Sequence, residues 1–450
     1  CRQEHIDRLR SQRAFLNFDA YKRSVIDLGR LLARPAKALG LRLTFRDFED
    51  PALSPLRSSD LIEAAERPEK NPFYPYFQGR FPALLKAAAP ERVGFSLNYL
   101  SQALCTFAMI GHLRKIDSRL PIVLGGSLVT SWMRRPDWRD PFSGLVDHLV
   151  AGPGEAPLLA LCGRSGSEET YRPVYGRFPL DQYLSPGLIL PYSGSRGCWW
   201  HRCAFCPERA EQNPYRPARP ATVLAELREL TSLKVPALLH FTDNALSPPL
   251  LEALAEDPPF APWYGFARIT SHLLDADFCA SLKRAGCAML KLGVESGDQR
   301  VLDDLNKGIR LDDAAAALKN LRAAGIASYV YLLFGTPRES YAEARRTLDF
   351  TVEQAGRIDF LNLAIFNLPA FSPEAASLET DDFYPGDLSL YRNFRHPQGW
   401  SRKEVRSFIE KEFKAHPAIA SILRREPPFF GSNHAPFFSG RGNAPDAWGF

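Results

Sequence analysis

The sequence predicts an α/β protein with two parallel-sheet regions: a doubly wound domain first, then a partial barrel of six strands, then a C-terminal accessory segment. Three observations predict it. Short apolar runs alternate with helical stretches in both regions, and such alternation implies parallel strand pairing. Small or Gly-rich residues follow three strands of the first region, where doubly wound sheets bind ligands. The chain has 450 residues, 45% hydrophobic and 24% charged, which is more than one core holds and enough apolar side chain for two.

Residues 24–40 read as a helix interrupted by Pro35, and 41–48 as a strand. A polar, Pro-containing stretch of mixed helix and loop runs from 49 to about 90. Strands follow at 92–97, 121–126 and 145–152, with a helix at 101–116. Their following loops carry Ser96, then Gly125, Gly126 and Ser127, then Gly152, Gly154 and Glu155. Small residues there let a backbone approach a bulky ligand, or simply make turns. Residues 1–165 therefore read as the first domain, with 166–190 as a Gly-, Ser- and Pro-containing linker.

The second pattern occupies 191–370. A strand before Cys198 is followed by strands at 237–244, 263–270, 288–296, 327–335 and 359–367, with helices at 220–233, 275–285, 311–324 and 339–355. A barrel of parallel strands places its site at their carboxyl ends. The tail, 371–450, carries one amphipathic helix at 401–424 and reads as an accessory cap, with His434 able to reach a site or to pack in a loop.

Composition narrows the classes. No run of about 18 apolar residues and no signal peptide is visible, so the expected location is the cytoplasm. The net charge of +5 is mild and no basic tract points to nucleic acid. Of eight cysteines (Cys1, Cys105, Cys162, Cys198, Cys203, Cys206, Cys279 and Cys287), three cluster tightly, which suits a reducing compartment and one metal site. The sequence starts at Cys1 without Met, so an upstream segment is expected to be missing.

The chemistry concentrates in Ser195-Arg-Gly-Cys198-Trp-Trp-His-Arg-Cys203-Ala-Phe-Cys206. Three thiolates within nine residues can converge on one soft metal centre. A structural zinc site usually takes four ligands, often as two Cys pairs, and no second pair follows; His201, inside the loop, would close a tetrahedron only with strain. A cubane cluster on three ligands keeps one iron open for substrate chemistry. Zinc and a chance clustering of cysteines stay the alternatives.

This stretch resembles the radical S-adenosylmethionine (SAM) superfamily, and with the preceding α/β region it resembles the cobalamin-binding-domain subgroup. The usual C-x3-C-x2-C is here C-x4-C-x2-C, a spacing familiar among cobalamin-type members. LKLGVESGDQRVLDDLNKG (290–308) is similar to the family's fourth-strand segment, YLLFGTPRES (331–340) to its fifth-strand turn, and HFTDNALSPP (240–249) to its second-strand position. The resemblance implies a Rossmann-like cobalamin-type domain, a (β/α)6 radical SAM barrel, and a 4Fe-4S cluster on Cys198, Cys203 and Cys206 that reductively cleaves SAM to methionine and a 5′-deoxyadenosyl radical.

Around SAM it implies Phe205 as a face for adenine, Asp243 as acceptor for the ammonium, Arg268 as fork for the carboxylate, Glu295 as acceptor for ribose hydroxyls and Gly335 at the adenine edge. Each has a plainer reading: core, turn cap, surface ion pair or helix cap. For cobalamin it implies the loops of Ser96, Gly125, Gly126, Ser127, Gly152, Gly154 and Glu155. The D-x-H-x-x-G motif of histidine-ligated cobalamin is absent, Asp147-His148 having the wrong spacing, so a cobalamin free of protein histidine is expected.

Three functions compete: a cobalamin-dependent radical methyltransferase acting on an unreactive carbon, a non-methylating radical enzyme with the first domain as scaffold, and a metal-binding protein without turnover. An electron donor such as flavodoxin or ferredoxin is the expected partner. Peptide, lipid and small-metabolite substrates all stay open.

Overall fold

Residues 92–96 and 121–125 are short apolar runs, each followed by a helix, and they pair in parallel. In the computed structural model, which describes residues 2–164, 173–233 and 236–439, β1 (Val93–Ser96), β2 (Ile122–Gly125) and β3 (His148–Leu149) form one parallel sheet with β2 in the middle. Leu104, Phe107, Ile110, Leu124 and Trp132 fill its core. They come from the sheet and from helices α2 (Leu100–Ile116) and α3 (Ser127–Met133). The strand expected at 145–152 shrinks to two residues, because the Asp147 carboxylate accepts from Ile122 N–H (2.6 Å) and Arg114 Nη2 (2.5 Å). The strand expected at 41–48 is instead a hairpin, Arg42–Leu43 antiparallel to Phe48–Glu49. Thr44 turns the chain by accepting from Asp47 N–H at 3.0 Å, a bond that competes with ladder pairing.

The chain divides into two compact units that are not sequential. One is Gly29–Tyr171 with Leu368–Phe394; the other is Cys1–Leu28, Arg172–Asn367 and Arg395–Phe450. Part of the stretch read as a linker, 166–172, lies outside the described residues, as do Cys1, 165, 234–235 and 440–450.

The second unit holds β4 (Ile189–Tyr192), β5 (Leu238–Leu246), β6 (Trp263–Ala267), β7 (Cys287–Glu295), β8 (Ala327–Phe334) and β9 (Phe360–Ile365). Each is parallel to the next, in chain order. Helices α4 (Pro220–Leu233), α5 (Pro248–Glu256), α6 (Ala276–Arg284), α7 (Leu311–Ala324) and α8 (Tyr341–Glu353) lie between strands in the sequence. Leu227, Leu254, Leu282, Leu318 and Leu348 bury their apolar stripes in the same core as Phe241, Leu290 and Val330 of the sheet. Covered in this way, the strands read as nearly continuous apolar runs. A second cluster joins Tyr264, Met289, Tyr329 and Phe360 to Ala435 and Phe437 of the tail.

Two expectations about helices change. The first runs Phe18–Ala38 straight through Pro35, secured by the buried Tyr21, Val25 and Leu28. The tail helix breaks into Arg402–Phe408, a wider turn at Ile409–Phe413 and Pro417–Leu423, since Pro417 brings no N–H to continue a helix. No helix among the described residues is long and apolar enough to cross a membrane.

One close approach sets the packing of the first unit. Helix α1 (Ser58–Glu66) crosses α2 at Gly111, where a Cβ would lie 1.8 Å from the Ala65 carbonyl oxygen. Gly111→Ala must push the helices apart, and overpacking of this kind costs about 1–3 kcal/mol. The urea midpoint of that unit should fall, while Gly94→Ala, with nothing within 4 Å, should leave it in place.

Candidate functional site

The cysteine loop is pinned at its start by Asp243 of β5. The buried carboxylate accepts from Gly194 N–H (2.9 Å) and from the Ser195 hydroxyl (2.5 Å). Further along, Trp199 Nε1 donates to Leu246 O (3.3 Å), Trp200 Nε1 to Asn306 O (3.0 Å) and Ala204 N–H to Leu305 O (2.9 Å). The loop is thus fastened to the carboxyl end of β5 and to the turn after β7. Gly308 permits the second contact: a Cβ there would stand 2.2 Å from Trp200 Cζ2, and its φ of +66° suits glycine.

Cys203 is buried, and Cys198 and Cys206 are half-buried. Burial raises Cys203, against the pull of Lys307 and Arg268, and pushes Cys206 up to about 11; the charges of Cys198 and Cys203 add to the rise at Cys206. The three sulfurs therefore sense one another, and a metal is what would hold them as thiolates at neutral pH. Among the described residues no three His, Cys, Asp or Glu side chains close on a point as ligands of one ion do. A cubane asks something different, since each of its thiolates binds a separate iron. Three soft donors with two cations beside them suit a cluster of net negative charge. His201 is engaged elsewhere, its Nε2 lying 3.1 Å from Glu208 O.

Arg268 follows β6 and is 9% exposed. Its Nη1 points to Cys203 Sγ (3.9 Å), its Nη2 donates to Lys307 O, and its plane lies over Trp200 (4.2 Å) and Trp199 (5.6 Å). Glu295 ends β7 with φ of +68°, a left-handed turn that costs a non-glycine residue about 1–3 kcal/mol. Its buried carboxylate meets Lys307 Nζ at 2.7 Å. Lys307 also stands over the Phe205 ring at 5.5 Å.

Cys203, Phe205, Arg268 and Glu295 thus gather around Lys307, while Asp243 acts on the loop itself. Gly335 sits at the end of β8, where its N–H donates to Glu339 and where a Cβ would meet Val405 at 3.2 Å and Ile365 at 3.7 Å, so that side is filled by the protein itself. Sequence reasoning missed Lys307, Trp199 and Trp200. A signal was available in Asn306-Lys307-Gly308, a short turn whose Asn and Gly take positive φ.

In the first unit, Asn98 joins two of the expected loops. Its Oδ1 accepts from Ser127 N–H (2.9 Å) and its Nδ2 donates to Ser96 Oγ (3.1 Å). A Cβ on Gly126 would stand 2.3 Å from Leu97 O, so the loop's own backbone fills that side. Gly152 N–H donates to Thr130 Oγ1 (2.9 Å), with open space where a Cβ would be. Gly154 precedes the helix Glu155–Leu161. His148 is exposed and opens β3, away from these strand ends. The side of Gly152 is open, and the residues of these loops include no histidine.

Residues 192–351 match the Radical SAM superfamily. An uncharacterized methyltransferase of Pyrococcus horikoshii is 23% identical over 304 residues, covering 59% of this chain and 65% of the relative. The radical SAM methyltransferase TsrM from Kitasatospora setae, solved with tryptophan and a SAM analogue, superposes with a TM-score of 0.58 at 17% identity, over 83% of this chain and 87% of that one. OxsB, a cobalamin-dependent SAM radical enzyme solved with aqua-cobalamin, gives 0.54 at 15% identity, over 71% and 58%. The chain therefore spans under two thirds of the length of the Pyrococcus relative and of OxsB, and its likeness to the solved structures is one of fold. The stretch that matches the Radical SAM superfamily, 192–351, thus contains the three-cysteine loop and most of the six-stranded parallel sheet at whose strand ends that loop is seated.

Proposed function

We propose that this protein is a radical SAM enzyme that transfers a methyl group to an unactivated carbon with the help of cobalamin. The observation that carries the radical part is the grouping of Cys198, Cys203 and Cys206 beside Arg268 and the Glu295–Lys307 pair. When bound, the cluster supplies one electron to the SAM sulfonium, whose sulfur–C5′ bond breaks into methionine and a 5′-deoxyadenosyl radical, and cobalamin supplies the methyl group.

The chain's own residues do the rest. Asp243 holds the loop in register, so it acts as a positioning residue, in addition to the ammonium contact assigned from sequence. Arg268 and Lys307 offset negative charge at the thiolates. Glu295 faces the same space and is assigned to the ribose hydroxyls, Phe205 to the adenine face, and Gly335 to its edge. Ser96, Gly125, Gly126, Ser127, Gly152, Gly154 and Glu155 are assigned to cobalamin. The electron comes from a small donor such as flavodoxin or ferredoxin. The seven described cysteines are free, which supports a reducing compartment such as the cytoplasm.

A second reading has its own support. Gly126 is packed against Leu97 and Ser127 is tied to Asn98, as a unit serving only as scaffold would allow. Anaerobic incubation with SAM and reductant, with and without cobalamin, separates the two. Methylated product only with cobalamin supports methyl transfer; deoxyadenosine alone in both supports the scaffold.

Three predictions follow from these assignments. Cys198→Ala, Cys203→Ala or Cys206→Ala should each abolish deoxyadenosine formation and the cluster's spin-resonance signal, whereas Cys279→Ala and Cys287→Ala, both buried in the barrel core, should cost stability alone. Cobalamin bound to the protein should show no nitrogen splitting from a histidine in its cob(II) spectrum; clear splitting contradicts the assignment. Lys307→Met strands a buried carboxylate, a loss of about 3–5 kcal/mol. Adding Glu295→Gln should return much of that stability in urea titrations without restoring SAM binding measured by equilibrium dialysis.

A further inference from the structure

Lys291 is a buried cation that the proposed reaction does not use. It lies on β7 four residues before Glu295, roughly 13 Å nearer the start of the strand. It is 2% exposed, and its Nζ sits 4.9 Å from the Tyr264 ring centre and 5.0 Å from that of Phe266. Its hydrogen-bond partner is His240 Nε2, at 3.1 Å. No carboxylate among the described residues pairs with it.

The pairing fixes the state of the histidine. An ammonium group only donates, so Nε2 accepts and the ring proton sits on Nδ1. Burial lowers Lys291 to about 8 and His240 to about 3, which keeps the lysine charged and the imidazole neutral at pH 7. The charge on one ring nitrogen makes the N–H on the other a stronger donor. That N–H has no partner among the described residues, and His240 forms part of the wall of a cavity of about 740 Å3. A volume of this order suits a small-molecule ligand.

The remainder of the wall is largely apolar, with Phe178, Leu180, Leu184, Leu188 and Phe430, and it also carries Arg10, Asp181 and Asn433. His434 also lines it, neutral and held by Tyr21 Oη at 2.6 Å. We propose that this cavity binds a small amphipathic carboxylate, its acid group on His240 Nδ1–H, its charge balanced by Lys291 and its hydrocarbon body against the apolar wall. An isolated buried ammonium is costly, and an anion brought by the ligand is what would offset it.

The test is calorimetric titration of the full chain with octanoate, 1-octanol, octylamine and octyl phosphate. Octanoate should bind at least tenfold more tightly than octanol or octylamine. Lys291→Met should erase that preference while octanol binding persists, and His240→Leu should do the same if the first variant does not fold. Leu184→Trp, which fills the cavity, should block every probe. Equal binding of octanoate and octanol, or a preference that survives both polar substitutions, would overturn the proposal. Octyl phosphate binding tenfold above octanoate would overturn the carboxylate assignment. Because the readout needs neither cluster nor SAM, it stands or falls independently of the radical reaction.

Discussion

The barrel's site depends on how one buried guanidinium is satisfied. Arg268 gives up water on nearly all sides, and its compensation is uneven: a carbonyl from Lys307, two indole faces, and a thiol at 3.9 Å. Stacking on tryptophan is worth about 0.5–2 kcal/mol, which does not offset the several kcal/mol lost in burying a cation. The missing part is negative charge, which the cysteine loop supplies when its sulfurs are thiolates, with a smaller share from Glu295. Arg268 and the thiolates therefore favour each other, and the loop that presents Cys203 is held where the arginine needs it.

The same contact explains why residues far apart in sequence form one site. Trp199 and Trp200 belong to the cysteine loop, Arg268 follows β6, and Lys307 follows the short helix Gln299–Asp304. Parallel strands laid down in chain order bring their carboxyl ends to one side, so residues separated by a hundred positions can meet. Gly308 and the left-handed Glu295 are local concessions to this meeting, one giving room to an indole and the other turning a carboxylate toward Lys307.

Much of this was legible in sequence, for reasons that also mark the limit. The runs at 237–244 and 288–296 read correctly as strands because both faces are covered and apolar residues dominate them, even though His240, Asp243, Lys291 and Glu295 interrupt the pattern. The three cysteines stood out because their spacing is rare without a metal. Reading failed where a single side chain overrides the local pattern: the Thr44 hydroxyl makes a turn inside an apolar run, and Pro417 splits an amphipathic one. Lys307 was hidden for a different reason. A lysine in a turn is usually solvated, and nothing local announces that Glu295 and Phe205 will enclose it.

Among its described residues the barrel buries three cations, and their partners differ. Lys307 has a carboxylate of its own chain and needs nothing more, so it can serve as fixed structure. Arg268 has sulfur, whose charge would depend on a bound metal, so a cluster at the proposed site would stabilise the arginine in turn. Lys291 has only a neutral imidazole and two aromatic faces. Lys307 and Arg268 both stand at the strand ends, one paired with a carboxylate and the other facing the cysteine loop, whereas Lys291, nearer the strand starts, has no anionic partner among the described residues. A fold that keeps an uncompensated ammonium behind a histidine gains no stability from it, since an apolar residue of similar volume would pack there at less cost. The arrangement is favourable only when an anion reaches His240 from the cavity, and that makes the lower barrel a place for ligand as much as the upper rim is a place for metal.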